Sequence, residues 1–158
     1  MYDSPRELIE ALAATPDILQ TLLQNVTHDQ ALRARGGDEN WSIVEVMCHL
    51  RDAEEVAITR VQTLRDEPQP LISGFDQEAW AAERNYGGDN LQSALNAFVE
   101  LRNQHIGMLA VLSPAQWERI GHHQQHGPVT ISNHTLHIVW HDLVHVAQMG
   151  RQLRNYNS

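Results

Sequence analysis

The segment WSIVEVMCHLRDAEEVAITRVQTLRD, residues 41–66, decides the fold. Its apolar positions Ile43, Val46, Met47, Leu50, Ala53, Ala57, Val61 and Leu64 recur at three- and four-residue intervals, which places them on one face of a long α-helix. Ser42, followed three residues later by Glu45, forms a capping box in which each side chain accepts the other residue's backbone N–H. EPQPL, residues 67–71, ends the helix, because proline has no N–H with which to extend the ladder. A helix with one apolar stripe must lay that stripe on other helices, and the flanking sequence offers three more.

The first runs from Pro5 to about Val26 through Leu8, Ile9, Leu12, Ile18, Leu19, Leu22, Leu23 and Val26, with Ser4 as cap and Glu7 completing a capping box. Pro16 is expected to kink or interrupt it near Thr15. Another spans Asn90 to about Leu112 and buries Leu91, Leu95, Phe98, Leu101, Met108, Leu109 and Leu112; the last runs from about Ser132 to Arg154. Between them, THDQALRARGGDEN (residues 27–40) reads as a polar connection. Residues 68–89 read as an irregular link with a helical turn around Gln77 to Arg84. SPAQ (113–116) opens a short capped turn, HHQQHGPVT (122–130) reads as a loop, and PVTI (128–131) is too short a run to found a sheet. The expectation is an all-α four-helix bundle forming a single domain over residues 1–158.

Composition narrows the chemistry. The formal charge is −9, and all eleven basic residues are arginine. Without lysine there is no Schiff-base chemistry and no phosphate-binding P-loop, and an acidic chain without a basic stripe lacks the footprint of a nucleic-acid binder. No apolar run approaches the roughly 18 residues of a membrane span, and MYDSPRELIE carries no apolar secretory stretch. Cys48, the lone cysteine, can make no internal disulfide, so a reducing cytoplasm is the expected location. The ten histidines stand out, since imidazole is a common metal ligand and a proton carrier near neutral pH.

Residues four apart on a helix differ by about 40° in direction and about 6 Å in height. His137, His141 and His145 therefore form one stripe on the last helix, and two pairs could grip an ion, His137 with His141 or His141 with His145. A third ligand must come from elsewhere, and His49, among Val46, Leu50 and Ala53, faces the bundle. Three imidazoles leave open positions for water or substrate, which suits a catalytic site. Glu45, one turn before His49, is accounted for as a cap, Asp52 is a solvated helix residue or a partner of His49, and Cys48 points away as a buried thiol. His122, His123 and His126 read as exposed loop residues, and no partner is visible for His28 or His105.

WHDLVHVAQ, residues 140–148, is one letter from the H-E-x-x-H of zinc proteases. Asp142 is a methylene too short to serve as that glutamate, and the chain has no downstream third ligand of the protease kind, so Asp142 is expected at the surface or bundle edge, hydrogen-bonded to another helix.

Four blocks, ALAATPDIL (11–19), WSIVEVMCHLRDAEE (41–55), LRNQHIGML (101–109) and HDLVHVAQMGRQLR (141–154), resemble the DinB-like superfamily of bacterial proteins, also called DinB/YfiT-like metalloenzymes. The resemblance implies a four-helix bundle that holds a divalent metal through one histidine of the second long helix and an H-x-x-x-H pair of the fourth. Matched position by position, these are His49, His141 and His145. It also implies a metal-dependent transferase that joins a low-molecular-weight thiol (bacillithiol, mycothiol or glutathione type) to a small electrophile, with a metal-dependent hydrolase or a non-catalytic helical stress-response module as alternatives. Coordination to a divalent cation would deprotonate such a thiol. Imidazole ligands suit zinc, nickel or iron. The expected partners are a small-molecule substrate and a second copy of the chain, paired through apolar residues such as Trp80 or Trp117, with neither nucleic acid nor membrane.

Overall fold

The computed structural model describes residues 4–158. Four long helices, α1 (Ser4–Leu23), α3 (Ile43–Asp66), α5 (Leu91–Ala110) and α7 (Ile131–Tyr156), make up the bundle. α3 packs along α5, α1 packs against both α5 and α7, and α7 closes on α3. Short helices α2 (His28–Arg33), α4 (Gln77–Glu83) and α6 (Pro114–Trp117) lie in the connections, with a single 3-10 turn at Tyr86–Gly88. α1 starts at Ser4, so its capping position lies outside the described residues. The capping boxes at Ser42/Glu45 and Ser113/Gln116 form as expected, and Thr27/Gln30 and Thr130/Asn133 add two more.

The connections hold more order than their polarity suggested. Residues 27–40 contain α2 and the strand β1 (Arg35–Gly36), which pairs with β2 (Trp41–Ser42). HHQQHGPVT is a hairpin, not a loop: β4 (Gly121–His123) and β5 (Gly127–Val129) run antiparallel, and β3 (Leu71–Ile72) adds a parallel strand beside β4. Strands this short carry no alternating pattern for a sequence to show. They depend on close approach, since a Cβ on Gly121 would lie 2.5 Å from Leu64 Cδ2 and 2.9 Å from Pro70 Cβ. Gly127, at φ +79°, closes the hairpin in a conformation that other residues resist.

α1 passes through Pro16 without interruption. Proline cannot donate to the carbonyl of Leu12, four residues back, and Arg102 Nη1 donates to that oxygen instead at 3.0 Å. A side chain from α5 thus replaces the missing backbone bond.

That arginine belongs to a polar layer that divides the core. Toward one end lies an apolar cluster with Leu19, Trp41, Met47, Leu50, Phe98 and Met149; toward the other lies a second, with Leu12, Ala57, Leu64, Leu109, Ile131 and Ile138. Between them each long helix contributes buried polar side chains, Thr15, Glu54, Arg102 with His105, and Asp142. Arg102 Nε and Nη2 donate to the two carboxylate oxygens of Glu54, each at 2.8 Å. Nη1 and Nη2 donate to Asp142 at 2.7 and 3.1 Å. With the Leu12 carbonyl this makes five bonds for the five N–H groups of a guanidinium. Thr15 donates to Asp142 at 2.7 Å, and His105 Nδ1 donates to Glu54 at 2.6 Å. Asp142 is therefore buried and engaged by two helices, not placed at the bundle edge, and His105 has its partner in Glu54.

Candidate metal centre

One helical turn beyond Leu50's side of that layer, α3 presents His49, and α7 presents His141 and His145 on its facing stripe. One ring nitrogen from each of the three lies within 4.8 Å of the others. His49 Nε2 is 2.9 Å from His141 Nε2, and the three ring centroids are 4.5–4.9 Å apart. Among the described residues this is the one group of at least three His, Cys, Asp or Glu side chains gathered in this way. His137 is not part of it: its ring lies 6.4 Å from that of His141 and closer to Trp140, at 5.4 Å.

The surroundings keep the three rings neutral. Burial pushes the pKa of His49 down to about 3 and that of His141 to about 2, and the neighbouring imidazoles push further the same way; burial also lowers His145. A neutral imidazole has a lone pair to give, which is what ligation requires. His145 is oriented by Gln148, whose Oε1 accepts from His145 Nδ1 at 2.8 Å and so leaves Nε2 as the lone-pair nitrogen. Gln148 is anchored in turn by donating to the Gly36 carbonyl at 3.3 Å. His49 is held between aromatic rings, with Trp41 at 5.2 Å and Phe75 stacked at 6.3 Å with 9° between planes. Three converging, neutral and oriented imidazoles are a donor set that fits a divalent cation with open positions.

The remaining candidates have other work. Glu45 Oε2 accepts the Ser42 N–H at 2.6 Å and an Arg35 N–H at 2.9 Å, so its carboxylate is committed to the capping box. Asp52 is buried and accepts from Tyr86 at 2.6 Å and Arg51 at 2.8 Å, with Arg84 at 3.0 Å; it pins the 3-10 turn to α3. Cys48 is buried, donates to Asp89 at 3.5 Å, and has its thiol pKa pushed up to about 12 by that burial, which makes it inert. His28 Nδ1 accepts the Leu91 N–H at 3.4 Å.

The residues that composition alone did not mark are Gln148 and the cavity wall. A cavity of about 470 Å³ opens beside His49 and His141, lined also by Arg60, Phe75, His123, His126, His134 and His137. The hairpin supplies two of these histidines, so its ordering turns supposed loop residues into lining. The spacing of Gln148 three residues after His145 was a visible signal, since such positions are neighbours on a helix.

The model of the DinB superfamily matches residues 11–149, which include every residue of the cluster. The chain belongs to the DinB superfamily. Within it, a protein of Oceanobacillus iheyensis is 26% identical over 146 residues, covering 90% of this chain and 82% of its own length. YfiT of Bacillus subtilis is 24% identical over 149 residues, covering 92% and 83%. Both are provisionally named metal-dependent hydrolases. The solved structure of YfiT, described as an unusual four-helix bundle, superposes with a TM-score of 0.89 at 23% identity over 99% of this chain and 90% of that one. This DinB protein thus has the four-helix bundle expected from its sequence. Among its described residues, no helix is long and apolar enough to cross a membrane.

Proposed function

We propose that this DinB protein is an enzyme that holds one divalent ion on His49, His141 and His145 and hydrolyses a small molecule bound in the adjoining cavity. The observation that carries the reading is the convergence of three neutral imidazoles, two of which, His49 and His141, line that cavity, and the provisional naming of its relatives supports the reaction class. When bound, the ion supplies Lewis acidity at the open end of the site. The chain's own residues do the rest. Gln148 fixes the His145 tautomer, Trp41 and Phe75 shield His49 from water, and His137, which lines the cavity without joining the cluster, is placed to carry a proton.

A second reading, transfer of a low-molecular-weight thiol to an electrophile, is favoured by one feature: among the described residues no carboxylate lines the cavity to act as general base toward water. A thiol acidified by the ion needs no such base. The separating experiment is turnover of ester and amide substrates by the metal-loaded protein, with and without glutathione, bacillithiol or mycothiol. Hydrolysis without thiol supports the first reading; product only when thiol is present replaces it with the second. Pairing of two chains is supported by exposed Leu136, Trp140, Leu143 and Val144 on α7; Trp117 is buried, and Trp80 is covered by Phe75 and Arg84.

A further inference from the structure

The cavity's charge is at odds with the molecule's. The chain carries 20 acidic residues against 11 basic ones, yet the residues lining the cavity include no aspartate or glutamate and one arginine, Arg60. Arg60 is half-buried. Its Nη2 donates to the Ser73 carbonyl at 2.9 Å, and it has no place among the ion pairs of the described residues. The other half-buried or buried arginines that face carboxylates, Arg51, Arg65 and Arg102, each form an ion pair. An arginine kept beside a cavity with donors to spare is a standing cost unless a ligand answers it.

Its position gives the ligand a direction. Arg60 is eleven residues after His49, about three helical turns, so the two share one face of α3 about 16 Å apart along the axis. Between them on that face lie Ala53 and Val56, which line a second, small cavity of about 60 Å³ that shares Arg60, His134 and His137 with the first. Arg60 and His49 both line the same cavity, which joins the two ends of that span. Across from Arg60, α7 contributes His134, which is buried and whose Nε2 has no hydrogen-bond partner. The cavity therefore has His49 and His141 of the cluster at one end and, at the other, a guanidinium that faces no carboxylate together with an unsatisfied imidazole nitrogen.

We infer that Arg60 and His134, with His137 at the rim, form a recognition site for a carboxylate, and that the substrate is a small molecule whose carboxylate is remote from its reacting group. One guanidinium matches a single carboxylate charge for charge in a bidentate fork. The uncommitted Nε2 of His134 is a second donor or acceptor at the same end. The span from Arg60 to the cluster rests on the hydrolase reading; the carboxylate site itself does not.

Two measurements keep those apart. In the metal-free protein, titration with glutaramate (one carboxylate, one amide) is followed through the ring resonances of His134 and His137. Saturable shifts are expected, about tenfold weaker in Arg60→Gln, retained in the charge-matched surface control Arg154→Gln, and absent with the uncharged diamide. Equal binding by Arg60→Gln, equal binding of the diamide, or tighter binding of inorganic phosphate would overturn the carboxylate site. Thermal unfolding of Arg60→Gln alongside confirms that the variant is folded, and Arg60→Lys, which keeps the charge without the fork, is expected to fall between. In the metal-loaded protein, succinic acid monohydroxamate is expected to bind about tenfold more tightly than butyrohydroxamate, with the difference lost in Arg60→Gln. Metal-independent binding of both hydroxamates would count against the metal reading, while the glutaramate titration would still decide the carboxylate site.

Discussion

Two polar regions sit side by side in this bundle and obey opposite rules. The Glu54–Arg102–Asp142 layer is closed: five guanidinium N–H groups meet five acceptors, and Thr15 and His105 take up further lone pairs. The His49–His141–His145 cluster, adjacent in sequence to that layer through Asp142, is open: its rings are neutral, their ring nitrogens face one another, and buried His49 Nδ1 has no partner. The first region pairs every guanidinium N–H and both carboxylates, leaving only His105 Nε2 without a partner, and ties four helices together. The second offers donor nitrogens to a group from outside, which is the ion proposed above. Of two neighbouring residues on α7, His141 belongs to one region and Asp142 to the other, which is why the protease-like spelling of that stretch misleads.

The contrast is broken most severely at Arg102. Arg102→Ala strands two buried carboxylates and the Leu12 carbonyl, and is expected to cost about 3–5 kcal/mol or to prevent folding. Urea unfolding measures it, and a loss below about 1 kcal/mol would mean the layer is not a unit. Thr15→Val, which removes one donor to Asp142, should cost about 1–3 kcal/mol by the same assay.

The open region should respond in affinity and leave folding nearly untouched. Gln148→Ala, which frees the His145 ring, is expected to weaken divalent-ion binding about 10- to 100-fold while shifting the melting temperature of the metal-free protein little. Calorimetric titration with zinc tests this; unchanged affinity would remove Gln148 from the site.

Acid should separate the regions in two stages. His49 and His141 titrate near 6.5 when unfolded but are held down at about 3 and about 2 when folded, so below pH 6.5 the unfolded state binds more protons and stability falls as pH falls. Burial alone would raise Glu54, but the hydrogen bond from His105 and the charge of Arg102 outweigh it and hold its pKa at about 2. Its contribution is complete above the unfolded value of 4.5 and is lost as pH falls toward 2. Metal-free protein should therefore begin to lose stability near pH 6.5, and the loss should steepen below about 4.5. A stability profile flat from pH 7 to 5 would contradict the neutral state of the cluster.

The smallest effect is expected at Pro16. Pro16→Ala restores an N–H aimed at a carbonyl that Arg102 already serves, and should change stability by less than about 1 kcal/mol. Chemical unfolding measures it, and a change well above that would show that the arginine does not replace the lost bond.

The four helices were legible because amphipathic stripes and caps are local and repeated. The hairpin of residues 121–129 was not, since its strands are held by the approach of Gly121 to Leu64 and Pro70, a tertiary fact. The three histidines could be nominated by spacing on α7 and facing on α3, but the choice between His137 and His145 came from family resemblance, and the structure brings His145 into the cluster. Asp142 has the expected hydrogen bonds to other helices but is buried instead of lying at the bundle edge: its partners Thr15 and Arg102 stand 127 and 40 residues away, and no local pattern signals them. Arg60 was passed over because one arginine on a helix reads as solvated until the cavity beside it is seen.

The central claim is that the open cluster is completed by one divalent ion per chain. The most direct test is elemental analysis of tag-free protein purified without a metal column, for the wild type and for His141→Ala. About one ion per wild-type chain, and none in a His141→Ala variant that melts like the metal-free wild type, is the result predicted. Full occupancy in His141→Ala, or a wild type that takes up no divalent ion when offered one, would contradict it.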